Sequence, residues 1–368
     1  MKILAAGRVF LYGGLAAIVL LGARETSGGN RRVLSVSSAQ QLEEAVARAN
    51  RSGGEVTILL APGIYPLDHT LDIEARDITL AGAPDQSAHT IIQGDAMSPT
   101  ARIGDLVRVA ASNFQLRDLT LRRSRLHLIQ IAGEDRAEAP VIRDCILQDA
   151  NEQLLKVSFD ARHPEAHSDR GTVDHCVFEY TAGIGPQYYI GGIDAHGARD
   201  WRVSNNVFRD IASPSRDVAE FAIHFWEGSA DDVVQGNTII DCDRGIGFGL
   251  DGRPNQGGLI ANNRIFHSDN RAPFADVGIA LVDSPDTRVQ TNVIYFENSY
   301  PNAIEYRFPA TRGIQIVGNV ANRRIAARDG ASGTVSGNVT DATAAWFIHA
   351  AVGDLRLSRF GSEQLGQK

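Results

Sequence analysis

Gly192-Ile193-Asp194-Ala195-His196 decides the fold, because the same five-residue pattern returns once per repeat along most of the chain. Stacked in order, the rungs read Leu106-Val107-Arg108-Val109-Ala110, Leu128-Ile129-Gln130-Ile131-Ala132, Leu154-Leu155-Lys156-Val157-Ser158, then Gly192 to His196. Above them come Ala222-Ile223-His224-Phe225-Trp226, Gly245-Ile246-Gly247-Phe248-Gly249, Gly278-Ile279-Ala280-Leu281-Val282 and Ala303-Ile304-Glu305-Tyr306-Arg307. The second and fourth columns are almost wholly apolar. Successive side chains of a strand point to opposite faces, so these columns face a core while the third and fifth face outward. The third column, running Arg108, Gln130, Lys156, Asp194, His224, Gly247, Ala280 and Glu305, is where chemistry is expected.

A second signature follows each rung: a turn, a strand, a fixed polar position and another strand, as in Val203-Ser204-Asn205-Asn206-Val207-Phe208. The fixed position is Cys145, Cys176, Asn206, Asn237, Asn263, Asn292, Asn319 and Asn338, with 19 to 31 residues between neighbours. One coil per repeat accounts for that spacing. Asparagine tolerates left-handed backbone angles and its amide can bond from one turn to the next in a stack, so this column reads as structural.

A self-similar period means that the 368 residues form one solenoid rather than two ordinary domains. A hydrophobic content of 43% and 36 glycines fit a β-rich protein with many tight turns. The net charge of -8 argues against a nucleic-acid binder but leaves room for a local basic cluster facing an anionic sugar. Residues 1–23 carry Lys2 and Arg8 and then an apolar run from Val9 to Leu21, the pattern of a signal peptide or an N-terminal anchor. The expected location is therefore periplasmic or secreted. Cys145 and Cys176 stand at equivalent positions of adjacent coils, within bridging range, but as fillers of the asparagine column they are expected to be buried thiols, and Cys242 has no evident partner.

Residues 24–368 are expected to form a single domain, with an N-terminal cap at 33–65, coils to about 340, and a C-terminal cap and tail at 341–368. Ser38 with Gln41 fits a capping box, and Leu42, Ala45, Val46 and Ala49 form one apolar stripe, so a short amphipathic helix is expected to cover the open end of the solenoid. Next, Glu55-Val56-Thr57-Ile58-Leu59-Leu60 runs into Ala61-Pro62-Gly63-Ile64-Tyr65, with short strands after it. With the ladder, this opening resembles the pectate-lyase-like superfamily of right-handed parallel β-helices. The resemblance implies an all-β, single-stranded right-handed parallel β-helix over nearly the whole chain after the export segment, and it is specific for fold rather than activity.

Variable segments at Asp160 to Arg170, Gly183 to Tyr189, Ala212 to Glu220 and His267 to Asp276 fall beside the ladder strand and are expected to wall a groove over the third column. Equivalent residues of successive coils lie ~4.8 Å apart. Lys156, Asp194 and His224 therefore form a vertical run, with His196 and Trp226 two residues along on the same face. The small residues Gly245, Gly247, Gly249, Gly278 and Ala280 would leave the strand surface above them bare, a floor for a sugar chain. His163, His167 and Asp169 match no strong zinc spacing, so no metal is assigned; a calcium ion is compatible with the sequence but not indicated by it.

Asp194-Ala195-His196, with Gly192-Ile193 before it and Tyr188 and Tyr189 nearby, looks like the Asp-Pro-His strand motif of mannuronan C5-epimerases. The resemblance implies catalytic roles for Asp194 and His196, and for Lys156 one rung below. Ala195 replaces the proline, and Gly191 stands where that family has a tyrosine, so Tyr189 would have to reach in from its loop.

Removing a proton α to a carboxylate needs a cation to stabilise the enolate and a base near neutral pKa. Lys156 or Arg108 suits the first role, His196 or His224 the second. Tyr189, Trp226, Asp251 and Arg307 are the expected substrate-binding residues. The expected activity is that of an exported, monomeric, cofactor-free protein acting at C5 of a uronate-containing polysaccharide. Returning the proton from the opposite face gives an epimerase and losing the 4-linked oxygen gives a lyase; the residues do not choose. A non-catalytic glycan-binding β-helix is the alternative. A glycoside hydrolase, which needs two carboxyl groups ~5–9.5 Å apart, is a further one, with Asp251 as the partner of Asp194.

Overall fold

The computed structural model describes residues 32–268 and 275–367. The segment read as a signal peptide or anchor, and part of the insertion at His267 to Asp276, lie outside the described residues. Among those described, no helix is long and apolar enough to cross a membrane.

The chain winds into a right-handed parallel β-helix with three faces, formed by sheets of twelve, ten and ten strands. One ten-stranded sheet holds every rung of the ladder, in order from Leu71–Ile73 to Arg324–Arg328. Val107, Ile129, Leu155, Ile193, Ile223, Ile246, Ile279 and Ile304 pair in one continuous register. All eight are fully buried. Each contributes ~1.5–3 kcal/mol by leaving water, and parallel strands make that burial repetitive.

The fixed polar positions stack on the corner between the other two sheets. Asn206, Asn237, Asn263 and Asn292 each donate from the side-chain amide to the Oδ1 of the next asparagine at 2.9–3.0 Å, and Asn319 does the same to Asn338. The left-handed angle belongs to the residue before each of them: Asn205, Gly236, Asn262, Thr291, Gly318 and Gly337 all have φ between 56° and 69°. The turn thus places its strain one residue early and leaves the ladder asparagine free to point inward. Cys145 and Cys176 fill the lower end of this column as free thiols, and Cys242 is free and buried as well.

At the N-terminal end the helix Ala39–Arg51 buries Leu42, Ala45, Val46 and Ala49 against the first coil. Ser38 accepts from the Gln41 amide, while the Gln41 side chain accepts from Ser37 rather than from Ser38. The strand Arg32–Val36 opens the twelve-stranded sheet and was not anticipated. The C-terminal hairpin Phe347–His349 with Asp354–Leu357, and the helix Arg359–Leu365, lie along the flank of the third sheet, where Trp346, Phe347 and Leu355 pack with Phe266 and Val320.

Candidate functional site

The ladder register places Arg108, Gln130, Lys156, Asp194, His224, Gly247, Ala280 and Glu305 in one outward column, with His196 beside Trp226 in the next. Lys156, Asp194 and His196 meet directly. The Lys156 ammonium donates to Asp194 Oδ2 and, at 2.7 Å, to His196 Nε2. Trp226 Nε1 donates to Asp194 Oδ1 at 2.6 Å. Glu227 Oε2 lies 2.9 Å from His196 Nδ1, which favours the tautomer with hydrogen on Nδ1 and turns the Nε2 lone pair toward Lys156. Burial would raise the Asp194 carboxyl, but its contact with His196 and the Lys156 charge, aided by the two histidines when they are protonated, outweigh that and hold it far below the usual carboxylate range.

His224 is set back from this surface. It is wholly buried, its ring stacked at 5.2 Å on Trp226 and packed against Phe221, with Nε2 donating to the Gly249 carbonyl at 3.1 Å. Burial pushes its pKa down to about 4, so it is a neutral support for Trp226 near neutral pH. Arg108, two rungs below Lys156, is engaged by Asp135 at 2.6 Å. Arg307 pairs with Asp329 at 2.7 Å, far up the next column. Asp251 sits on an exposed turn and takes no part in the cluster; the same turn sends Arg253 over the Trp226 ring, 5.0 Å from its centre. Tyr189 is half-exposed, with its hydroxyl pushed up by burial and by the carboxylates of Asp194, Glu152 and Glu220. His167 pairs with Asp169 at 2.7 Å, apart from the cluster.

The expected bare floor is filled differently. A Cβ on Gly247 would come within 2.7 Å of the Phe221 ring and 2.9 Å of His224, so that glycine admits two rings. Gly245 and Gly249 instead let neighbouring backbone carbonyls approach.

Several groups at the site escaped the ladder reading because they sit just outside its five columns. Gln153 opens the ladder strand Gln153–Ser158, three residues before Lys156. It is fully buried, and neither amide atom makes a hydrogen bond of ordinary length, although the Tyr189 hydroxyl approaches it. His127 on the coil below is buried, and that burial together with Lys156 lowers it to about 4. Glu220 ends the insertion that begins at Ala212; its amide donates to the Ile190 carbonyl at 2.8 Å, joining two walls of the groove. Asp243 holds that insertion in place by accepting from Ser213 and Ala219 on Oδ2 at 3.0 and 2.9 Å. Arg244 donates to the Ala219 carbonyl at 2.8 Å and lies over Phe221.

No family model and no curated protein matches this chain. Solved structures similar to it include the tailspike protein of Dettilon, at 14% identity and a TM-score of 0.47, covering 78% of this chain and 58% of the tailspike. A mannuronic acid specific family 6 polysaccharide lyase from human gut microbiota is 13% identical with a TM-score of 0.47, covering 83% of this chain and 80% of the lyase. The mannuronan C-5 epimerase A-module of Azotobacter vinelandii is 16% identical with a TM-score of 0.38, covering 83% and 92%. The chain thus spans little more than half the length of the tailspike, and none of these likenesses bears on what the site does. What the coils themselves establish is the architecture, a right-handed parallel β-helix.

Proposed function

We propose that this is an exported carbohydrate-active enzyme that removes the C5 proton of a uronate residue within a polysaccharide. The observation that carries the reading is the contact of Lys156 with both Asp194 and His196. It holds a cation and a neutral imidazole at one point of the groove. A uronate carboxylate arriving at Lys156 would be neutralised there, lowering the cost of the enolate that forms when C5 loses its proton. Drawing the ammonium toward the substrate frees the His196 Nε2 lone pair to take that proton, while Glu227 keeps the ring oriented and stabilises the imidazolium. Asp194 is a positioning residue, held ionised between Lys156 and Trp226. Lys156 supplies the positive charge, so the reaction as proposed needs no metal.

Incubation with alginate, pectate and glycosaminoglycans, followed by absorbance of unsaturated products and by deuterium uptake at C5, tests this reading. Neither signal on any uronan would remove it.

One observation favours a second reading, hydrolysis. Asp194 Oδ1 and Glu220 Oε2 each lie 3.9 Å from His224 Nδ1, which puts the two carboxyls inside the ~9.5 Å limit for a glycosidase pair. New reducing ends without unsaturation would support it, with Glu220 rather than Asp251 as the partner.

A further inference from the structure

His224 poses a question of proton counting. Its Nε2 faces the Gly249 carbonyl, which can only accept, so the hydrogen of the neutral ring is on Nε2. Nδ1 then carries a lone pair. Among the described residues, that nitrogen is buried without a hydrogen-bond partner, and carboxylate oxygens of Asp194 and Glu220 both lie 3.9 Å from it. A buried lone pair facing two carboxylates is repulsive unless one of the three groups holds a further proton. His224 is the poorest choice, because a wholly buried imidazolium has lost its hydration. Asp194 is excluded by its partners: it already receives hydrogens from Lys156 and Trp226, and both of its oxygens are committed. Glu220 remains. Among the described residues, its one Lys or Arg contact is a 3.5 Å approach of Arg244 Nη2, and that guanidinium is already engaged by the Ala219 carbonyl and the Phe221 face.

We infer that Glu220 carries the site's exchangeable proton, stored against His224 Nδ1, and is the acid that delivers it once C5 has been deprotonated. The charged and titratable groups facing Glu220 are Asp194, Lys156, His196, His224, Arg244 and Tyr189. Burial, then the Asp194 charge, raise its carboxyl above the ordinary glutamate range against the opposing pull of Arg244, Lys156 and His196. The Glu220 side chain is 30% exposed and so can meet a sugar in the groove, which His224 cannot.

This role rests on the proposed C5 chemistry. In an elimination, His196 Nε2 takes the C5 proton, and the C–H electron pair forms the C4–C5 double bond as the C4–O4 bond breaks. The Glu220 proton passes to O4, leaving a hydroxyl on the departing chain. In an epimerisation the same proton goes to C5 from the opposite face. Glu220 ends as a carboxylate and His196 as an imidazolium, and exchange with water restores both.

The test uses the full chain with ¹³C-carboxyl glutamate, beside Glu220→Gln, whose amide matches the carboxyl in size and so preserves the packing. Wild type should show a glutamate carboxyl titrating above the others and missing from the variant; buried Asp232 and Asp243 do not interfere because only glutamate is labelled. Turnover should fall by ~10²–10⁴-fold in Glu220→Gln, and the decline of the wild-type rate at high pH should disappear from the residual activity. If no such glutamate is found, the inference is overturned whatever the activity. If it is found but Glu220→Gln keeps the wild-type rate and pH profile, the proton is structural and the donor role falls. Wild type inert on every uronan sinks the C5 reading and the delivery step with it, while the labelled titration separately decides where the proton resides.

Discussion

The asparagine column and the outward column stand on the same coils at the same spacing, yet they treat polar groups in opposite ways. In the first, each amide nitrogen bonds both a backbone carbonyl and the next asparagine, as Asn237 does with the Val203 carbonyl and Asn263. From Asn206 to Asn319 each amide is met by an identical neighbour one rung away. In the second, Lys156, Asp194 and His224 differ from rung to rung, and repetition cannot satisfy them. Trp226 and Glu227 are recruited to complete the cluster, while Gln153 and one nitrogen of His224 are left without ordinary partners. Repetition turns polar groups into stability; a break in repetition leaves them for a ligand.

The largest effect expected from this contrast is on turnover. His196→Ala should lower uronan turnover by ~10²–10⁴-fold, the usual worth of a general base, while the urea midpoint stays nearly unchanged because the ring is partly exposed and its partners keep each other. A variant as active as wild type would erase the distinction between the columns. Asn237→Ala should do the reverse. It removes bonds to Val203, Gln235 and Asn263 and strips the Asn206 amide of its acceptor, costing about 3 kcal/mol in unfolding while leaving the rate per folded molecule intact.

A smaller effect separates the two regions by pH. His224 falls from the ordinary 6.5 to about 4 on folding, so it contributes stability that is complete above pH ~6.5 and is lost as pH falls toward its folded value. Between pH 7 and 5 that loss is about 2 kcal/mol by linkage. His224→Phe should remove this share of the acid slope measured by urea unfolding, whereas Asn237→Ala should leave the slope alone. An unchanged slope in His224→Phe would mean that the ring is charged in the folded protein.

The fold was legible because the apolar columns repeat with almost no exceptions, and eight isoleucine, leucine or valine positions sufficed to set the register. The Lys156, Asp194 and His196 meeting was legible for the same reason: register alone puts them on adjacent rungs. Glu220 and Glu227 were not, since the first ends an insertion and the second follows the last residue of its strand, where alternation has stopped and no period says which way a side chain turns; Gln153 opens its strand just before the five repeated positions. His224 was legible in place but not in role. Only the packing of Phe221 over the Gly247 gap and the stacking of Trp226 on the ring reveal that it is sealed from the groove. Asp251 stood out by its charge beside the glycines, but the turn that carries it sends Arg253 toward the cluster instead.

Proton exchange at C5 is the most direct test of the central claim. Uronan incubated with the protein in deuterium oxide should lose its C5 hydrogen, appearing either as a C4–C5 double bond or as a C5–deuterium centre of inverted configuration, and His196→Ala should abolish the change. New reducing ends with the C5 hydrogen retained would contradict the account in favour of a hydrolase using Asp194 and Glu220, and retention of C5 hydrogen in a bound, uncut chain would contradict it in favour of a glycan-binding β-helix.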